Sequence, residues 1–85
     1  MVVYLVYGIT DCPACLRACA DLMEHDKEYV FIETDFARSY REYIKKQFEW
    51  KTMPLIVKLS GDEEVLVGGY EDLVYILKKE PKGPD

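Results

Sequence analysis

Residues 2–7, VVYLVY, run through six positions without a charged side chain and are rich in β-branched and aromatic residues. A strand that is apolar on both faces has to be covered on both faces. This segment therefore predicts a central strand in a layered α/β sheet, not a surface hairpin. A short loop, GITD, separates it from CPAC at 12–15, and Pro13 suits the first turn of a helix, where its missing N–H is not needed. A central strand, a tight loop and a helix opening on two cysteines leave few topologies for a chain of 85 residues, which has room for one domain.

The rest of the chain fills in that plan. Cys15, Ala18, Cys19, Leu22 and Met23 recur at helical spacing from Pro13 to about His25. Tyr29 to Ile32 reads as a second strand. SYRE at 39–42 matches a capping box, Asp35 offers an earlier start, and the second helix should run to about Phe48. Leu55–Leu59 and Val65–Val67 read as strands joined through the turn-rich SGDEE, and Gly68-Gly69 ends the second of them. Tyr70–Lys79 carries Leu73, Val74 and Leu77 on one face, acids at its start and lysines at its end, matching the helix dipole. The expected order is β-α-β-α-β-β-α. A parallel right-handed first crossover and an antiparallel closing hairpin would make a four-stranded mixed sheet with helices on both faces. The domain should span 1–79, with 80–85 as a flexible C-terminal tail.

Several functions are disfavoured. No apolar run approaches the ~20 residues that cross a bilayer. The first residues lack a basic flank and a cleavage site, so they read as a strand and not as a signal peptide, and the expected location is cytoplasmic. A net charge of −5 argues against a nucleic-acid partner. Between residues 38 and 51, however, Arg38, Arg41, Lys45, Lys46 and Lys51 outnumber Glu42 and Glu49, a local balance of +3. Such a run is ordinarily a solvated helix face.

All three cysteines lie between residues 12 and 19. An odd count at tight spacing does not fit an extracellular disulfide framework. Zinc needs four ligands, and His25 would sit ~15 Å along the helix axis from Cys15. Haem attachment needs a histidine where Leu16 stands. What remains is a CxxC at a strand-to-helix junction. Cys12 falls at the N-cap, where free N–H groups and the helix dipole favour a thiolate, and Cys15 lies one turn below, within disulfide reach. Cys12 thus reads as the exposed nucleophile and Cys15 as the resolving thiol. Cys19, on the apolar stripe, reads as a packed thiol.

CPAC at 12–15, TMP at 52–54 and GGYEDL at 68–73 occur together in an order and spacing that resemble the glutaredoxin family of the thioredoxin superfamily, over about residues 2–79. TMP and GGY look most like its small T-even bacteriophage members, for which the cytoplasm would be the host's. The resemblance implies a thioredoxin-like fold and a dithiol thiol–disulfide oxidoreductase with Cys12 and Cys15 catalytic. It also implies glutathione as reductant, no metal, a monomer, and disulfide-bearing protein clients such as ribonucleotide reductase. Pro54 would be cis beside the active site, a form an X–Pro bond adopts at modest cost. Thr52 and Met53 would pair with substrate backbone. Gly68 and Gly69 would let the chain approach closely, and the N–H groups at Tyr70 and Glu71 would receive the γ-glutamyl carboxylate. Asp72 would face the glutathione amine, and Arg41 the glycine carboxylate.

The departures from the family pattern are Ala14, where many members have tyrosine, and Ile9, where many have lysine. Asp11 beside Cys12 opposes thiolate formation. Other readings stay open at this point: a thioredoxin-type donor recharged by a thioredoxin reductase, a glutathione-dependent iron–sulfur binding module, or a non-catalytic interaction domain.

Overall fold

A computed structural model describes residues 1–80. The elements follow the expected order: β1 (Val2–Gly8), α1 (Pro13–Glu24), β2 (Tyr29–Glu33), α2 (Arg38–Gln47), β3 (Leu55–Ser60), β4 (Glu63–Gly68) and α3 (Tyr70–Lys79). The sheet order is β2-β1-β3-β4, which puts the apolar strand β1 in the interior. β1 pairs with β2 in parallel, from Tyr4↔Tyr29 to Gly8↔Glu33, and with β3 antiparallel, from Val2↔Ser60 to Tyr7↔Leu55. β3 and β4 form the antiparallel hairpin. Between Ile56↔Gly68 and Val57↔Leu66 the register slips by one residue, so Val67 bulges out just before the sheet ends.

Alternation along the strands divides the core in two. Tyr4, Val6 and Ile56 bury one face against Ala18 and Leu22 of α1 and Leu73 and Leu77 of α3. Tyr7, Leu55 and Val57 bury the other against Ile44 of α2, with Phe48, Trp50 and Met53 packed around them. Helices therefore cover both faces of a four-stranded mixed sheet, the layering that the resemblance implies. Each fully buried side chain such as Leu22 is worth roughly 1.5–3 kcal/mol over an exposed one. Among the described residues no helix is long and apolar enough to cross a membrane.

Two local expectations are corrected, and one residue of the expected tail is placed. The SYRE capping box does not form: α2 begins at Arg38 after Ala37, with no side-chain cap, and Ser39 is already inside the helix. Asp35 does not cap it either, because its carboxylate accepts hydrogen bonds from the Thr10 N–H and hydroxyl. The hairpin turn is tighter than SGDEE. Gly61, in the left-handed region at φ 64°, makes the turn with Asp62, and Glu63 and Glu64 belong to β4. Of the expected tail, Glu80 is anchored: its carboxylate accepts from Tyr4 Oη at 3.2 Å and Lys58 Nζ at 3.1 Å. Residues 81–85 lie outside the described residues.

Candidate active site

β1 ends at Gly8 and delivers the loop 9–12 to the start of α1. Two contacts fix that delivery. Thr34, fully buried after β2, donates its backbone N–H and its hydroxyl to the Gly8 carbonyl at 2.8 and 2.9 Å. Asp35 then receives Thr10, and these hydrogen bonds hold its carboxyl below the usual carboxylate range. The cysteine loop is thus tied to the β2–α2 loop at two successive residues.

Cys12 is the N-cap of α1, with extended backbone at φ −145° and ψ 97°, and Pro13 follows in the first turn. Its sulfur accepts the Cys15 backbone N–H at 3.2 Å. This is the place of a helix where unpaired N–H groups favour negative charge. Cys12 and Cys15 form a disulfide with Cα atoms 5.3 Å apart. Cys12 is half-buried and reachable, whereas Cys15 has no exposed surface. Cys19 is the one free cysteine. It packs at the edge of the α1 core, and burial pushes its thiol above the ordinary value.

Beside Cys12 lies a hollow of about 630 Å³. Its walls bring together the cysteine loop (Ile9, Asp11, Cys12), the basic face of α2 (Arg38, Arg41, Lys45, with Glu42) and the segment Thr52–Met53. Arg38, Arg41 and Lys45 share one stripe of α2, and Lys46 faces a separate hollow with Tyr43 and Gln47. Lys45 pairs with Glu42 at 3.8 Å. Among the described residues, Arg38 and Arg41 have no ion-pair partner within 4.0 Å.

The Met53–Pro54 bond is cis. Pro54 is buried, and β3 begins at the next residue. The second group of expected site residues, at the start of α3, does not line the hollow. Gly69 caps α3, its N–H donating to Asp72 Oδ2 at 2.9 Å. Gly68 stands at φ 120°, open to glycine, and a side chain there would meet the Asp72 carboxyl carbon at 2.8 Å. A methyl on Gly69 would stand 3.4 Å from the Trp50 ring and 3.8 Å from the Pro54 carbonyl oxygen, so this turn backs onto the cis-proline segment. The Tyr70 hydroxyl is turned away to Asp21 Oδ2 at 2.9 Å, and Glu71 is exposed. No group of three or more His, Cys, Asp or Glu suited to a metal ion occurs among the described residues.

Sequence reasoning missed Thr10, Thr34 and Asp35 as the residues that hold the cysteine loop. Their signal is a Thr-Asp pair in both strand-to-helix loops, at 10–11 and 34–35. Short polar side chains of this type at strand ends bond to backbone.

A family profile described as Glutaredoxin matches residues 2–62. Among solved structures, the glutaredoxin of Brucella melitensis superposes with a TM-score of 0.70 at 25% identity, covering 93% of this chain and 82% of its own. A buckwheat glutaredoxin–glutathione complex gives 0.69 at 19% identity, over 89% and 76%. The glutaredoxin-like NrdH-redoxin of Escherichia coli, described as having a thioredoxin-like activity profile, gives 0.66 at 16% identity, over 91% and 92%. No curated protein sequence matches. With the profile spanning most of the chain and the cysteine pair at the head of α1, the chain belongs to the glutaredoxin family.

Proposed function

We propose that the protein is a dithiol oxidoreductase that reduces protein disulfides and glutathione mixed disulfides in a reducing compartment, the cytoplasm, as a monomer whose residues 1–79 form the working domain. The observation that carries this is the Cys12 sulfur: half-exposed at a helix N-cap, accepting a backbone N–H, with Cys15 buried one turn behind it.

In the reduced protein the Cys12 thiolate attacks one sulfur of a client disulfide. The client's other sulfur leaves as a thiolate and takes a proton from water. Cys15, deprotonated, then attacks the Cys12 sulfur, expelling the reduced client and closing the Cys12–Cys15 bridge. Glutathione restores the dithiol: one molecule opens the bridge as a mixed disulfide on Cys12, and a second removes it as glutathione disulfide. Thr52 and Met53 offer backbone to an extended substrate, with Pro54 fixing their direction. Arg41 meets the glycine carboxylate. Gly69 and the N–H groups at Tyr70 and Glu71 meet the γ-glutamyl carboxylate, and Asp72 its amine. Glutathione use is supported by the likeness to the buckwheat glutaredoxin–glutathione complex. Ribonucleotide reductase is a client proposed from the family resemblance.

A second reading, a donor recharged by a thioredoxin reductase, is favoured by one feature of the hollow. Ile9 lines it where many glutaredoxins have a lysine. The likeness to NrdH-redoxin points the same way.

Turnover of a glutathione mixed disulfide and of a protein disulfide, each with glutathione and with NADPH plus thioredoxin reductase, separates the two. Cys12→Ser should abolish every activity. Cys15→Ser should retain reduction of the glutathione mixed disulfide and lose that of the protein disulfide. Substantial activity in Cys12→Ser would overturn the assignment.

A further inference from the structure

The hollow beside Cys12 holds more cationic charge than one small thiol needs. Arg41 is assigned to a carboxylate above, but Arg38, one turn earlier on the same stripe, lines the same hollow with no task and, among the described residues, no ionic partner within 4.0 Å. Lys45 is matched by Glu42, so among the described residues two guanidinium groups line the hollow without an ion pair, with Asp11 in its wall and Asp35 within electrostatic reach of Arg41. The surplus lies in a chain whose net charge is −5. Two residues before Arg38 stands Phe36, which is 94% exposed. Its neighbour Asp35 is bonded to Thr10 of the cysteine loop, so Phe36 stands in the loop beside the cysteine loop, outside the lining of the hollow itself.

We infer that this hollow selects protein disulfides that carry an acidic residue next to the reacting cysteine, held by Arg38 together with Arg41, with Phe36 as the apolar contact for the client chain. The inference rests on the thiol–disulfide reading above and names the substrate class of that site. A guanidinium fork matches a carboxylate in two hydrogen bonds, and two forks one helical turn apart can take a side-chain carboxylate and a neighbouring backbone carbonyl together. An acidic side chain beside the reacting cysteine brings to this pair a carboxylate that a neutral or basic client lacks. The sign of the preference is diagnostic. The field of the whole molecule attracts cations, so long-range steering alone would favour a basic client. A preference for acidic clients requires the local pair.

The test uses the reduced protein in single turnover, so no reductase is involved. The substrates are three capped peptides, each with an intramolecular disulfide and with Glu, Gln or Lys beside the first cysteine. Hydroxyethyl disulfide is a neutral reference. The Glu peptide should react about tenfold faster than the Lys peptide at low salt, and the ratio should shrink in high salt. Arg38→Ala should bring the ratio near or below unity while leaving the rate with hydroxyethyl disulfide within about twofold. Arg38→Lys should recover part of the preference, since the charge returns without the fork. Phe36→Ser should slow all three peptides and spare hydroxyethyl disulfide. Lys46→Ala, on the neighbouring hollow, should match wild type. Equal rates for the Glu and Lys peptides, or a preference unchanged in Arg38→Ala, would overturn this inference. No reaction with any disulfide, hydroxyethyl disulfide included, would overturn the oxidoreductase reading itself.

Discussion

Gly8 lies against Cys15: a methyl group on Gly8 would stand 2.7 Å from the Cys15 sulfur and 2.9 Å from the Phe31 ring. The last residue of the central strand is thus small because the buried cysteine occupies the space a side chain would need. Gly8→Ala should destabilise the protein by about 1–3 kcal/mol through overpacking. Urea unfolding of the oxidised and reduced forms checks this. Unchanged midpoints in both would mean that the contact is slack.

The two accessible-looking thiols of the reduced protein should differ sharply in reactivity. Cys12 sits where a thiolate is favoured, while burial raises the Cys19 thiol. Timed alkylation with iodoacetamide at neutral pH, read by peptide mass spectrometry, should label Cys12 well before Cys19. Cys19→Ala should keep turnover within about twofold and lower stability by about 1 kcal/mol, as loss of a packed sulfur does. A large loss of turnover with the fold intact would give Cys19 a part in the reaction.

Tyr7 should make stability fall at high pH. Burial, then the neighbouring Tyr40, push its phenol up to about 12 from the ordinary 10.0; the two ring centroids are 6.4 Å apart. The folded-state value is raised, so this contribution is complete below pH 10 and is lost as pH rises from there through 12. Over that window Tyr7 adds a slope of at most about 1.4 kcal/mol per pH unit. Tyr7→Phe should remove that increment from the pH–stability curve and delete one late-ionising tyrosine from the ultraviolet titration. Identical curves for the two proteins would refute it.

Glu80 should matter more than its position near the end of the chain implies. Besides Tyr4 and Lys58, its carboxylate lies 3.5 Å from Lys27 Nζ, whose side chain is 1% exposed. Lys58 also stands over the Tyr4 ring at 5.8 Å. Glu80→Gln weakens a partly buried pair from one side and should lower stability by about 1–3 kcal/mol. A chain ending at Lys79 should lose a similar amount. Thermal unfolding of both, compared with Glu71→Gln at an exposed site, makes the measurement.

The large features of the fold were legible because they rest on patterns that long-range packing reinforces. VVYLVY announced an interior strand, and the CPAC junction announced where the cysteines would stand. The failures have local causes. The polar groups that could have capped α2 were already taken: Asp35 binds Thr10, which no spacing rule reveals because the two are 25 residues apart. The helix ends expected near His25 and Phe48 were met to within a residue, since both are the C-caps, although no glycine marks them. α1 and α2 both stop on a left-handed residue that is not glycine, Asp26 at φ 57° and Glu49 at φ 53°. In each, the next N–H turns back into the helix, Lys27 to Leu22 at 2.9 Å and Trp50 to Lys45 at 2.8 Å. At the candidate site, the cysteines and the TMP segment could be read from motifs, and Arg41 from its place relative to Pro54. That Arg38 shares its hollow follows only once α2 is laid against the cysteine loop.

The direction of β1 has a practical consequence. The strand enters at Val2 and leaves at Gly8 toward Cys12, and seven residues of strand span roughly 20 Å. Glu80 is fastened to Tyr4 in the body of that strand, not to the cysteine loop. Both ends of the described chain therefore stay clear of the disulfide. A fluorophore or an electrode tether joined at Val2 or Glu80 would stand away from the half-buried Cys12 sulfur, so the described domain can be wired to a surface at those two points and still meet its clients.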